Sequence, residues 1–257
     1  MEIVKFYLVL ILTTGSPQAE VDWWQQLGYR TATELPGGQG SLLVKAGRLP
    51  VFITGNEQLQ PGVALVRERE GDLEEVMRQR KVQYKWLEEN VLEFVVPMPG
   101  EYAMYFSSDS TLFATLGNHV SPVAENEQLV EIALGVPNAA EAVEAWAALD
   151  FESTTEHLAP NIPEPYAILG LDFIPGVGIG VHQTQDFEGP MLTYFAVDMA
   201  QRIAHLTQST GVEPDSYVPG VGGEKANAIF TSPSGYGLFL FTISEEEHRK
   251  ALQQMTD

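Results

Sequence analysis

Cysteine is absent from the 257 residues. Its absence excludes disulfides, thiolate metal sites and a cysteine nucleophile. Basic side chains are scarce, 14 against 35 acidic ones, for a formal net charge of −21. A surface of that sign repels phosphate backbones and anionic lipid, so neither nucleic acid nor a membrane is an expected partner. No apolar run approaches the ~20 residues that a membrane-spanning helix needs. Recognisable catalytic motifs are missing too: there is no His-Glu-x-x-His and no Gly-x-Ser-x-Gly. Gly176-Val177-Gly178-Ile179-Gly180 leads into more strand and not into a helix, so it fails as a dinucleotide loop. Gly220–Lys225 ends Gly-Glu-Lys, so it is no phosphate-binding P-loop.

What is present is ample material for a core. Hydrophobic residues make up 44% and charged residues 19%, which places the chain among soluble globular proteins. A cytoplasmic location is expected, with secretion or the cell surface as the alternative. That alternative rests on Lys5, the apolar stretch Phe6–Leu12 and the small residues of Gly15–Ala19, the outline of a signal peptide. Against it, Glu2 offsets the lysine, and Pro17 occupies the −3 position of a cut after Ala19.

The strongest internal signal is a repeat. Leu12–Tyr29 and Leu134–Phe151 both start apolar, pass through Ser16 or Asn138, place acids early and close on Trp-x-x-Leu-(Gly/Asp)-aromatic. Ser and Asn are natural helix N-caps. Trp24 and Trp146 stand 122 positions apart. The halves also end alike: Pro99–Phe106 matches Ser234–Phe241 at an offset of 135, each a turn followed by an apolar strand. The difference implies an insertion in the second half, part of it at Asn161–Pro165.

Further strand-like runs occur at 41–45, 51–54, 63–66 and 92–96, and again at 166–171, 178–183, 192–197 and 226–231. Helical stretches lie at 72–80 and 199–209. The expected plan is α+β: four β-α-β-β-β modules paired into two curled mixed-sheet halves. The halves are expected at residues 1–118 and 126–243, joined by a polar linker at Gly117–Pro122. A helical tail is expected over 244–257, capped by Ser244 and opening on acids.

The strand Val130–Asn138, the helix ending Trp146–Phe151, and Val221-Gly222-Gly223 with Phe230–Tyr236 resemble a module of the vicinal oxygen chelate (glyoxalase/bleomycin-resistance/dioxygenase) superfamily. The second half carries the likeness well; the first is a degenerate copy. The resemblance implies a cleft in each half, lined by four metal-ligating positions from the first and fourth strands of each module. In the second half these positions fall near Glu131, Gly180, Leu192 and Phe239. In the first they fall near Val9, Ile53 or Thr54, Gly62 and Met104. Only Glu131 is a credible ligand, and one carboxylate does not satisfy the coordination such ions need.

Strand alternation adds neighbours on the same face. His182 follows Gly180 by two, Tyr194 follows Leu192 by two, and Phe241 follows Phe239 by two. With Glu131, the residues His182, Tyr194, Phe239 and Phe241 make an aromatic wall bearing one acid and one imidazole, suited to a small organic ligand. The same pattern also describes a sheet face filled with core aromatics. Glu131 is either a base or anchor in a pocket or a solvated group at an open mouth.

These residues imply a metal-free protein, without cofactor, that binds or sequesters a small organic molecule in its C-terminal cleft. The alternative is a non-standard lyase or dioxygenase built around Glu131 and His182. Leu171-Asp172-Phe173-Ile174-Pro175 also resembles the bacterial CppA family, labelled C3-degrading proteinase, which would imply a host protein as partner.

Overall fold

A computed structural model describes residues 6–35, 40–45, 48–68, 73–87, 91–119, 128–159, 162–171, 174–187, 189–247 and 249. The first module runs β1 (Phe6–Thr13), α1 (Pro17–Gln26), β2 (Arg30–Leu35), β3 (Gly40–Val44), β4 (Val51–Thr54). The second runs β5 (Gly62–Arg67), α2 (Leu73–Gln79), β6 (Lys85–Trp86), β7 (Phe94–Met98), β8 (Tyr102–Ser107). A helix, α3 (Ser110–His119), follows. The third module is β9 (Gln128–Gly135), α4 (Ala139–Ala147), β10 (Glu152–His157), β11 (Tyr166–Leu171), β12 (Ile174–His182). The fourth is β13 (Met191–Ala196), α5 (Met199–Thr210), β14 (Ser216–Gly220), β15 (Gly223–Thr231), β16 (Gly237–Thr242).

Each half forms one eight-stranded mixed sheet, and the two orders correspond strand for strand: β2-β3-β4-β1-β5-β8-β7-β6 and β10-β11-β12-β9-β13-β16-β15-β14. Modules join where their first strands pair antiparallel, β1 with β5 and β9 with β13. Each first strand also pairs parallel with the last strand of its own module. The fold is α+β with four βαβββ modules, and Phe6–Leu12 lies in an interior strand.

The repeat is closest at the first helices. Trp24 and Trp146 each lie eight residues after the N-cap and are essentially fully buried. The Trp24 ring meets Tyr29 edge-on at 5.0 Å, and Trp146 meets Phe151 in the same way at 4.8 Å. Between them the chain turns through a positive φ, +89° at Gly28 and +68° at Asp150, so both helices close through the left-handed region. The caps differ. Asn138 accepts hydrogen bonds from the Ala140 and Glu141 amides, whereas Ser16 makes no capping bond and Pro17 opens the helix.

Strand pairing corrects the offset in the terminal hairpins. Gly62 pairs with Ala103 and Met191 with Gly237, which sets Ala103 against Gly237. The offset there is 134, not 135, so Tyr102 corresponds to Tyr236 and Tyr105 to Phe239. Four of the inserted residues enter between β10 and β11, where the offset grows from 122 at Arg30/Glu152 to 126 at Val44/Gly170. Asn161 and Pro163 belong to that connection.

At the other end, the Ser244 hydroxyl accepts from the Glu247 amide while the Glu247 carboxylate accepts from the Ser244 amide and hydroxyl, a capping box. The expected continuation to Met255 falls outside the described residues, as do Val120–Pro122 of the expected linker and the Asp172-Phe173 pair; Gly117–His119, expected as the start of that linker, are instead the last residues of α3.

The helix-bearing sides of both sheets share one apolar core, which runs from Trp24, Tyr29 and Leu65 to Trp146, Tyr194 and Leu240. Polar contacts across the halves follow the repeat's symmetry. The Tyr236 hydroxyl donates to the Thr13 carbonyl at 2.6 Å, and the hydroxyls of Thr14 and Ser234 are 2.6 Å apart. The corresponding first-half turn brings Gly100 against the Gly135 carbonyl, where a Cβ would come within 2.9 Å. No helix among the described residues is long and apolar enough to cross a membrane.

The two tryptophans differ in one respect. Trp24 donates its indole N–H to the buried Glu20 carboxylate at 2.9 Å, while the Trp146 indole N–H is buried without a partner. Removing the donor from Trp24 leaves a buried acceptor unsatisfied; removing it from Trp146 leaves nothing unpaired. Trp24→Phe should therefore destabilise the protein by about 1–3 kcal/mol more than Trp146→Phe in urea unfolding. Equal losses would contradict this account.

Candidate functional site

Each sheet has a concave face opposite its helices. In the first half that face carries Val9, Ile11, Phe52, Ala64, Val66 and Tyr105. Helix α3 seals it, inserting Leu112 and Leu116 into the same cluster and setting Phe113 against Tyr7 at 5.0 Å. A void of about 10 Å³ lies beneath. This cup is full.

The equivalent face of the second half has a different chemistry. Glu131 on β9 is the counterpart of Val9 and is 7% exposed. Pairing aligns Glu131 with Gly178 of β12 and with Thr193 of β13, which in turn aligns with Phe239 of β16. Glu131 Oε1 accepts from the Thr193 hydroxyl at 3.3 Å and lies 3.2 Å from His182 Nε2. Its other oxygen is buried, has no partner, and rests over Gly180. A Cβ at Gly180 would lie 2.2 Å from that oxygen and 2.9 Å from His182 Nε2. Glycine is therefore what allows the carboxylate to lie flat on β12.

Around this acid–imidazole pair runs a continuous series of rings. His157 stacks on Tyr166 (4.7 Å), which stacks on His182 (5.5 Å, 10° between planes). Phe187 meets His182 at 6.1 Å and Phe239 edge-on at 5.4 Å. Phe239 then meets Phe241 at 6.0 Å, and Phe241 meets Phe195 at 5.6 Å. Every ring but the exposed His157 is half-buried.

Four of the expected site residues, Glu131, His182, Phe239 and Phe241, thus share one face. Tyr194 does not. It is fully buried on the helix side of β13, in the shared core, with the Arg48 guanidinium 3.8 Å above its ring. The cause is strand parity. Leu192 pairs with Ile132, not with Glu131, so Leu192 and Tyr194 face the helices while Thr193 and Phe195 face the cup. The position carried over as Leu192 belongs to Thr193, and Val9's half likewise uses Phe52 where Ile53 or Thr54 was expected. Sequence reasoning also missed Phe187 and Tyr166: Phe187 lies on a connection with no alternation to read, and Tyr166 lies on the neighbouring strand β11.

The four positions that a metal would need are Glu131, Gly180, Thr193 and Phe239. Among the described residues no cluster of three or more His, Asp or Glu side chains is placed to hold an ion. The unpaired Glu131 oxygen points at backbone and not into open space. These side chains do not fit a divalent metal centre. No described serine hydroxyl hydrogen-bonds a histidine, the pairing a serine nucleophile requires.

No known family model matches the sequence, and no curated protein does. Solved structures do match in shape. A variant of homoprotocatechuate 2,3-dioxygenase from Brevibacterium fuscum superposes with a TM-score of 0.56 at 11% identity, covering 93% of this chain and 70% of that one. A catechol 2,3-dioxygenase gives 0.55 at 13% identity, covering 93% and 87%. A fusion of a xylose isomerase-like TIM barrel with 4-hydroxyphenylpyruvate dioxygenase gives 0.52 at 13%, covering 79% and 38%. At these identities the likeness establishes the fold. The chain shares the two-half, paired-sheet fold of these structures, and a further match of the same kind is an extradiol ring-cleaving dioxygenase from B. fuscum.

The contact between Glu131 and Gly180 yields a direct test. Gly180→Ala forces the carboxylate off β12 and should cost about 1–3 kcal/mol. In a Glu131→Ala background the same change should cost much less, because only the tip of the His182 ring, at 2.9 Å, then has to yield. A double-mutant cycle in urea measures the coupling, and additive effects would show that the carboxylate does not lie where it is described.

Proposed function

We propose that this chain is a metal-free small-molecule-binding protein whose C-terminal cup takes a planar aromatic ligand. The observation that carries the reading is the difference between the two concave faces. The first is apolar and sealed by α3. The second presents half-buried rings around the Glu131–His182–Thr193 group. Stacked and edge-on rings give a planar guest apolar area and geometric preference, worth about 0.5–1.5 kcal/mol per ring pair beyond burial. The few polar groups at the centre supply orientation, the usual division of labour in a ligand site. The structural neighbours are named for aromatic compounds, homoprotocatechuate and catechol, and that chemical class is what the rings support here.

A second reading, a lyase- or dioxygenase-like enzyme, is favoured by one distance. Glu131 Oε1 and His182 Nε2 are within hydrogen-bonding reach, the arrangement from which a proton is moved. The metal positions supply no partner for such chemistry, so any step would rest on these two side chains.

Calorimetric titration with catechol and homoprotocatechuate tests the binding reading. Binding should weaken about tenfold in Phe239→Ala, with bound ligand recovered unchanged. Conversion of the ligand, lost in Glu131→Gln, would favour the enzyme. A stoichiometric transition metal in protein purified without added metal, lost in Glu131→Ala, would overturn the metal-free assignment.

A further inference from the structure

Away from the aromatic cup, a cavity of about 500 Å³ opens between the two halves. Its first-half wall is Leu27–Tyr29, Lys45 and Arg48; its second-half wall comes from α5 and β16. The charged groups on it are Lys45, Arg48, Arg202 and, when protonated, His205. No carboxylate is among the described lining residues. In a chain with 35 acidic and 14 basic residues this lining is biased toward cations, with the Asp198 carboxylate ion-paired to Arg202 beside it. Leu206, Leu238 and Leu240 provide an apolar floor.

The cations are held in place by the fold. Lys45 Nζ donates to the Leu27 carbonyl at the end of α1 at 2.7 Å, a favourable position for a cation. The Arg48 guanidinium lies over the Tyr194 ring, 3.8 Å from its centre. Arg202 is oriented through its Nε by Asp198 at 2.7 Å. Burial, and Arg48 beside it, bring the Lys45 ammonium down to about 8. Burial likewise holds the Tyr29 phenol well above its usual range; Tyr194 adds to that shift and Arg48 opposes it. Lys45 and Arg48 thus stand close together in a partly desolvated space, where an anion interacts favourably with both.

We propose that this cavity between the halves is a binding site for a small organic anion, a carboxylate or phosphate monoester with an apolar body. The charge is met by Lys45 and Arg48 from one half and by Arg202 and His205 from the other. The body rests on the leucines of α5 and β16. Because both halves contribute, a bound anion ties them together, and the stabilisation grows with ligand concentration. The site is separate from the aromatic cup and does not depend on the reading given to it.

The test is calorimetric titration of the full-length chain with benzoate and with phenyl phosphate at pH 8 and low salt, with benzyl alcohol as the neutral control. At least one anion should bind, and the alcohol about tenfold or more weakly. An anion raises the affinity of Lys45 for its proton. Near pH 8, with Tyr29, Arg48, Arg202 and His205 facing it, binding should therefore draw in up to roughly half a proton. That uptake is read from heats in two buffers of different ionisation enthalpy. Lys45→Gln should remove most of the uptake, Arg48→Gln should weaken binding about tenfold, and Arg48→Lys should restore part of it. Lys225→Gln, a basic residue against Tyr217, should leave binding unchanged. Circular dichroism confirms that each variant is folded. No binding by either anion, equal affinity for the alcohol, or indifference to Lys45→Gln and Arg48→Gln would overturn the proposal.

Discussion

The antiparallel pairing of first strands, β1 with β5 and β9 with β13, is the constraint on which the rest of the structure depends. Each of these strands is hydrogen-bonded on both edges, so its side chains are committed to two faces with no freedom to slip. One face meets the helices and the other becomes the floor of a cup. Register on these strands therefore decides at once which residues build the core and which reach a ligand. The pairing of Glu131 with Thr193 and of Ile132 with Leu192 is that decision in the second half.

The same plan gives the halves different chemistry through few substitutions. Val9 becomes Glu131 and Phe52 becomes Gly180, so a close-packed apolar contact becomes a carboxylate lying on bare backbone. On the helix side the exchange runs the other way: Glu20, which receives the Trp24 indole, is replaced by Ala142, and Trp146 loses its acceptor. Among the described residues each half thus holds one buried carboxylate, on opposite sides of its sheet.

Much of the fold was legible because its interior strands and first helices carry strong periodic signals. The Trp-x-x-Leu-x-aromatic close marks the same turn in both copies, down to the positive φ at Gly28 and Asp150. The edge strands were not legible. Residues 152–157, Glu-Ser-Thr-Thr-Glu-His, alternate nothing, since almost every side chain faces water; the largely exposed Ser216–Gly220 is the same case. Helix α3 was hidden for another reason: its last three residues, Gly117–His119, read as the start of the polar linker between the halves. Within the site, Glu131, His182, Phe239 and Phe241 were accessible from alternation. Tyr194 was misplaced by one residue of register, enough to send a side chain through the sheet.

The apolar core shared by the helix-bearing sides has a consequence for how the molecule tolerates change. Neither half closes its own interior: Trp24 and Trp146 lie in one continuous cluster. Opening one half exposes the inner surface of the other, so the two are expected to melt as a cooperative unit. The closely packed first half then serves as ballast. Its cohesion helps keep folded a partner whose corresponding face, among the described residues, carries a buried acid and half-buried rings.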